Sequence, residues 1–251
     1  MIHVNHIHVG ERLLPLSFTC QPGEVLHVVG PNGSGKSTLL NAIAGMISYQ
    51  GEVVIDGIPT EQLPLTELAL YRAFLAQSQR PAFNLDVFQY LALSIPHSVS
   101  VHDANVAAAV QELADLMSIS DKLHRSIHEL SGGEWQRVRL VGSCLQVWPR
   151  LNDKARLLLL DEPSAPLDIA QEAMLYKLID YMKQKGLSII VATHDLNRTL
   201  RHADRVLLLK QGVLQESGIP SDVLTEENLA RVFQTRVKSV DFDGKSLLLF
   251  E

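Results

Sequence analysis

Apolar residues recur along this chain in two rhythms. Short, nearly unbroken apolar runs at Val25-Leu26-His27-Val28-Val29, Leu157 to Leu160 and Leu187 to Thr193 predict buried strands. Between them the spacing lengthens to three and four. Leu39, Leu40, Ile43 and Ala44 predict one helix face, Val106, Val110, Leu113 and Met117 a second, and Val138, Val141 and Leu145 a third. Asp103 and Ser131 stand where N-caps of the latter two belong, and an amphipathic helix from Ile169 to Lys185 stops at Gly186. Turn pairs punctuate the strands. Asp56-Gly57 closes a strand from Gly51 to Ile58, Gln211-Gly212 joins Val206–Leu209 to Val213–Gln215, and Asp243-Gly244 centres a hairpin within Val237 to Phe250.

Strand–helix alternation thus flanks a helical stretch, interrupted by Pro81 and Pro96. The pattern predicts an α/β protein: a core over 1–76, an inserted helical subdomain over 77–149, and a return to core over 150–251.

Composition narrows the function. The chain has 251 residues, 46% of them hydrophobic, enough for a large core. Its 22 basic and 28 acidic residues leave a net charge of -6, which argues against a nucleic-acid-binding surface. No apolar run reaches the roughly 20 residues needed to span a bilayer, and the start lacks the features of a signal peptide. A cytoplasmic protein is expected. Cys20 and Cys144 stand far apart in no metal-like spacing and read as small buried apolar residues.

Three segments carry chemistry. Gly30-Pro31-Asn32-Gly33-Ser34-Gly35-Lys36-Ser37-Thr38 fits the phosphate-binding pattern G-x-x-x-x-G-K-S/T between a strand and a helix. Glycines let successive N–H groups point at phosphate oxygens, and the following helix adds about half a positive charge at its start. Lys36 suits the β- and γ-phosphates of ATP, and the Ser37 hydroxyl suits Mg²⁺. The four leucines before Asp161 and Glu162 drive a strand into a sheet and leave both carboxylates at its C-terminal edge, where α/β sheets bind ligands. There Asp161 would hold Mg²⁺, and Glu162 would deprotonate the attacking water. Leu130-Ser131-Gly132-Gly133-Glu134 is a capped helix start with an open backbone, a second anion site.

LSGGE followed by Gln136 and Arg137 resembles the signature motif of ATP-binding-cassette (ABC) ATPases. That resemblance implies a P-loop core of ABC-ATPase type, with an N-terminal β subdomain and the helical subdomain already placed. It implies roles for further residues: Gln77 as the Q-loop glutamine that reaches Mg²⁺ or water, His194 as the switch histidine, and Asp168 in the D-loop. Pro166 interrupts the usual D-loop pattern. The family commonly stacks adenine on an aromatic residue after the first strand. His6 to Arg12 stand there and include no aromatic residue other than histidine.

In this family the signature of one subunit covers the nucleotide of another, so Ser131, Gly132, Gly133 and Glu134 would contact ATP on a partner chain. A head-to-tail homodimer is implied. The resemblance extends over nearly the whole chain to ATPase subunits of bacterial importers. LSGGEWQRVRL and HDLNRTLRHADRVLLLK match those serving vitamin B12, and importers of ferric siderophores and haem share much of the pattern. Two membrane permease chains and a periplasmic binding protein are the implied partners, with the ATPase at the cytoplasmic face of the inner membrane. The segment from Gln77 to about Pro96, with Phe83 and Leu85, is the expected docking surface. A soluble ABC ATPase without a transport role is the alternative class.

Overall fold

A computed structural model describes residues 1–77 and 80–251. Its strands are β1 (Ile2–Val9), β2 (Leu13–Cys20), β3 (Val25–Val29), β4 (Gln50–Ile55), β5 (Ile58–Pro59), β6 (Arg72–Leu75), β7 (Leu157–Asp161), β8 (Ser188–Thr193), β9 (Arg205–Lys210), β10 (Val213–Gly218), β11 (Val237–Phe242) and β12 (Lys245–Phe250). The central sheet runs in the order β10-β9-β3-β8-β7-β6. All its pairings are parallel except β10 on β9 at the edge. Every residue of β3, β7 and β8 is buried, the mark of strands covered on both faces. The C-terminal ends of β3, β7, β8 and β6 consequently present Gly30, Glu162, His194 and Gln77 along one edge.

A second, antiparallel sheet has the order β2-β1-β4-β5. Ile2, Val4, Ile7 and Leu13 from it pack with Leu39, Leu40 and Ile43 of helix α1 (Lys36–Ile43) and with Leu157 and Leu159 of the central sheet. β1 departs from expectation. His6 does not open a loop; it forms a bulge at φ 48, its N–H donating to Ser17 Oγ at 2.8 Å, and the strand continues to Val9. Only Gly10 to Arg12 turn the chain.

Helices α2 (Leu65–Tyr71), α3 (Val87–Ala92), α4 (Ala104–Leu116) and α5 (Gly132–Gln146) lie between β5 and β7 in sequence. Asp103 caps α4, accepting from Asn105 N at 2.8 Å. Val106, Leu113 and Met117 are buried as expected, Val110 only partly, and Ala109 and Ala114 complete that face. α5 buries far more than one face. Trp135 to Gly142 are buried without a break, including Gln136, Arg137 and Arg139. Arg137 donates through Nη1 to Met117 O at 2.7 Å and Ser118 O at 2.8 Å, at the C-terminal end of α4, while its buried Nε has no partner among the described residues.

Beyond β7 follow α6 (Ile169–Gln184), α7 (Leu196–His202), α8 (Pro220–Val223) and α9 (Glu226–Phe233). The last three and the β11–β12 hairpin enclose a separate cluster around Leu196, Leu224, Leu229, Val232 and Leu248. The three expected turns are present with both central residues at positive φ: 53 and 82 at Asp56-Gly57, 47 and 76 at Gln211-Gly212, 52 and 72 at Asp243-Gly244. Cys20 and Cys144 are fully buried, and burial pushes both thiols up, Cys20 to about 12.

Candidate functional site

The loop from Gly30 to Gly35 wraps the start of α1 by adopting angles that side chains resist. Gly30 sits at φ 151, where a Cβ would lie 2.7 Å from Ser34 Oγ, and Gly35 caps the helix at φ 103. Lys36, the first helical residue, is buried and folds its ammonium back to Gly30 O at 2.8 Å and Pro31 O at 3.3 Å. Its Nζ lies 3.9 Å from Glu162 Oε1, an electrostatic contact too long for a hydrogen bond. Burial lowers the Lys36 pKa, and the Glu162 and Asp161 carboxylates partly restore it.

Ser37 Oγ donates to Asp161 Oδ1 at 3.0 Å. The Asp161 carboxyl is held above the usual carboxylate range by burial, with the Ser37 hydroxyl drawing it back down and the Glu162 charge adding to the rise. A hydroxyl, a carboxylate and the Gln77 amide are hard oxygen donors, the chemistry Mg²⁺ prefers.

Glu162 turns out of the strand at φ 47, an uncommon angle for a residue with a side chain, while its N–H keeps Ala192 O at 2.9 Å. The turn carries the carboxylate to His194, whose Nδ1 lies 2.7 Å from Glu162 Oε2.

A cleft of about 770 Å³ gathers Asn32 to Thr38, Gln77 and Glu162. Glu11, Arg12 and Gln211 line it as well, and among its described lining residues none is aromatic. The sequence offered Gln211-Gly212 only as a hairpin turn. Gly212 N donates to Ser34 O at 2.9 Å, and Gly212 O accepts from Leu14 N at 2.8 Å, so the turn braces the phosphate loop against β2.

The signature residues lie off this cleft. Ser131 and Gly132 are exposed, and Ser131 caps α5 in a reciprocal box: its Oγ accepts from Glu134 N at 3.2 Å, and Glu134 Oε2 accepts from Ser131 N at 2.8 Å. That carboxylate is held low by the Ser131 N–H and lies 3.6 Å from Lys122 Nζ. Gly133 abuts the Gln171 side chain, and Asp168 caps α6 by accepting from Gln171 N at 2.8 Å. Signature and D-loop are therefore neighbours on one surface. Three arginine contacts escaped sequence reading: Arg80 donates to His128 O at 3.3 Å, to Ser131 O at 3.1 Å and to Leu130 O.

Within the segment 77–96, Phe83 is 60% exposed, joined outside it and within it by exposed Leu65 and Phe88. Leu85 instead packs against the helical core, because the backbone there pairs with the Ser126–Ile127 strip. Ser78 and Gln79 of that segment lie outside the described residues. Among the described residues, no helix is long and apolar enough to cross a membrane.

The family model described as ABC transporter matches residues 13–165. The vitamin B12 import ATP-binding protein BtuD of Vibrio atlanticus is 60% identical over 251 residues, covering 100% of both chains. The protein of the same name from Vibrio cholerae serotype O1 is 58% identical, again over 100% of each. Among solved structures, an ATP binding subunit of an ABC transporter aligns at TM-score 0.78 with 23% identity, over 93% of both chains. The dimeric structure of a bacterial ABC transporter cassette aligns at TM-score 0.74 with 25% identity, over 88% of this chain and 99% of that one.

Proposed function

The chain belongs to the ABC transporter family and is an ATPase, and from that premise we propose that it is the energy-coupling subunit of a vitamin B12 importer. Full-length identity of 60% to a protein named for that import carries the choice of cargo. The energetics are indifferent to it, since the cargo reaches only the partner chains.

In this reading the loop from Gly30 to Thr38 holds the ATP phosphates, with Lys36 placed on their charge. Ser37, Asp161 and Gln77 would hold Mg²⁺, which when bound neutralises phosphate charge. Glu162 takes a proton from a water molecule. The water oxygen attacks the γ-phosphorus as the bond to the bridging oxygen breaks, and that oxygen leaves with the electron pair on ADP. His194 positions Glu162 through Nδ1. Once Nδ1–H donates to that carboxylate, Nε2 of a neutral ring can only accept. Donation from Nε2 to a γ-phosphate requires either a cationic ring or release of Glu162.

The exposed cap at Ser131, off the chain's own cleft, supports a head-to-tail homodimer in which Ser131 to Glu134 meet the partner's nucleotide beside the D-loop at Asp168. ATP favours the closed dimer, and hydrolysis releases it, moving the helical subdomain of 77–149. Two permease chains dock near Phe83, hold the ATPase at the cytoplasmic face of the inner membrane, and receive cargo from a periplasmic binding protein. No nucleic acid takes part.

Gene deletion followed by uptake of labelled cobalamin and of a labelled ferric siderophore tests the cargo. Loss of cobalamin uptake alone is expected. Unchanged cobalamin uptake with collapse of siderophore uptake transfers the assignment to iron import.

A further inference from the structure

Arg139 is 8% exposed, in the middle of α5. Its contacts are with neutral oxygens: it donates through Nη2 to Ala76 O and through Nη1 to Gln136 Oε1 at 2.8 Å, and the Tyr90 hydroxyl of α3 lies beside it as a third. Burying a guanidinium costs several kcal/mol, and an apolar side chain of similar volume serves packing at least as well. Stability is therefore a poor reason for a cation here, and its partners give a better one.

Ala76 immediately precedes Gln77. Gln136, one turn before Arg139 and 4% exposed, uses its amide to donate to Pro163 O at 2.8 Å, and Pro163 immediately follows Glu162. One short chain of hydrogen bonds therefore joins Ala76, Arg139, Gln136 and Pro163 across the two segments that face the cleft. Its middle lies on the same rigid helix as Ser131, about 12 Å away at 1.5 Å per residue. Arg80 ties the same two regions from the outside through Ser131 O at 3.1 Å.

We infer that Arg139 is a positioning residue that makes the Ser131 end of α5 move as one body with the backbone beside Gln77 and Glu162. A shift in either segment when the cleft fills then reaches the surface presented to the second copy. The inference rests on the shared-site reading above and adds the element that couples the two surfaces.

The test uses the full chain. Arg139→Met should leave ATP affinity of the single chain within about twofold, because no phosphate-loop contact is touched, yet lower kcat by about tenfold or more. In a Glu162→Gln background it should weaken ATP-driven dimerisation, read by analytical ultracentrifugation, by a similar factor. Arg139→Lys, which keeps the charge and one donor, should recover part of both. Gln136→Leu, which keeps the Ala76 bond, should reproduce the defect, and the double variant should be no worse than the worse single one. Wild-type turnover and dimerisation in Arg139→Met, or additive defects in the double variant, overturn the inference. If Arg139→Met does not fold, Gln136→Leu decides alone, and normal dimerisation in it is the contrary result. Failure of the unmutated protein to hydrolyse ATP or dimerise would instead strike the function reading.

Discussion

His194 Nδ1 and Glu162 Oε2 meet at 2.7 Å although 32 residues separate them. The pairing is a product of sheet order. β7 and β8 are adjacent and parallel, Asp161 pairs with Ala192, and each chain exits the sheet within a residue or two of the other. The left-handed turn at Glu162 then points its carboxylate along the edge and not into the sheet.

Glu162→Gln removes the base but keeps the shape and one acceptor toward His194. ATP turnover should fall by about a thousandfold, consistent with loss of general-base catalysis, while ATP binding persists and a stable dimer accumulates. A phosphate-release assay beside size-exclusion chromatography with ATP reads both. Wild-type turnover would remove Glu162 from the mechanism.

Lesions on the two surfaces should complement. Ser131→Arg damages the site on the partner, whereas Lys36→Ala damages the chain's own cleft. In a mixed dimer both lesions fall in one site and the other is intact, so an equimolar mixture of two inactive proteins, in which about half of the dimers are mixed, should restore about a quarter of the activity expected for independent sites. Confirmed heterodimers without activity would contradict shared sites.

Phe83 is an exposed aromatic side chain in the proposed docking segment, with Leu93 and Phe88 also exposed there. Cysteines at Ala82 and Asn84 should cross-link to a reconstituted permease, and Phe83→Asp should uncouple transport while leaving ATPase activity of the isolated chain unchanged. Cross-links confined to the Asp243-Gly244 hairpin would place docking on another face.

His27 is fully buried, its Nδ1 2.9 Å from Thr199 Oγ1, and burial pushes its pKa from an ordinary 6.5 to about 3. A base whose folded pKa is depressed binds fewer protons folded than unfolded between those values. Its contribution is therefore complete above pH 6.5 and is lost as pH falls toward 3, by at most about 1.4 kcal/mol per pH unit. His27→Gln should flatten the decline in urea midpoint between pH 6.5 and 4 relative to wild type. Parallel curves for the two proteins would show that His27 does not set that slope.

Features governed by neighbours in sequence were legible. The Asp-Gly and Gln-Gly turns, the Asp103 and Ser131 caps and the all-leucine strand each follow from a few adjacent residues. Motif spacing also marked the phosphate loop, and the all-leucine strand put Asp161 and Glu162 at a sheet edge, whereas Gln77 and His194 came only from the resemblance to ABC ATPases. Long-range polar pairing was not legible. Arg139 reads as an exposed helical arginine until the chain 63 residues earlier returns beside it, and Arg80 finds carbonyls about 50 residues away. The bulge at His6 was equally hidden, because it depends on Gly51 opposite, where a Cβ would strike the His6 backbone.

The sealed thiols at Cys20 and Cys144 have a practical consequence. Neither presents a thiolate to reagents near neutral pH, since nucleophilicity follows thiolate character and access. The unmodified chain is thus already a silent background for maleimide dyes and spin labels. A single cysteine at an exposed position such as Ala82 would report one distance between the two copies of a dimer, before and after ATP, without the compensating substitutions such spectroscopy usually demands.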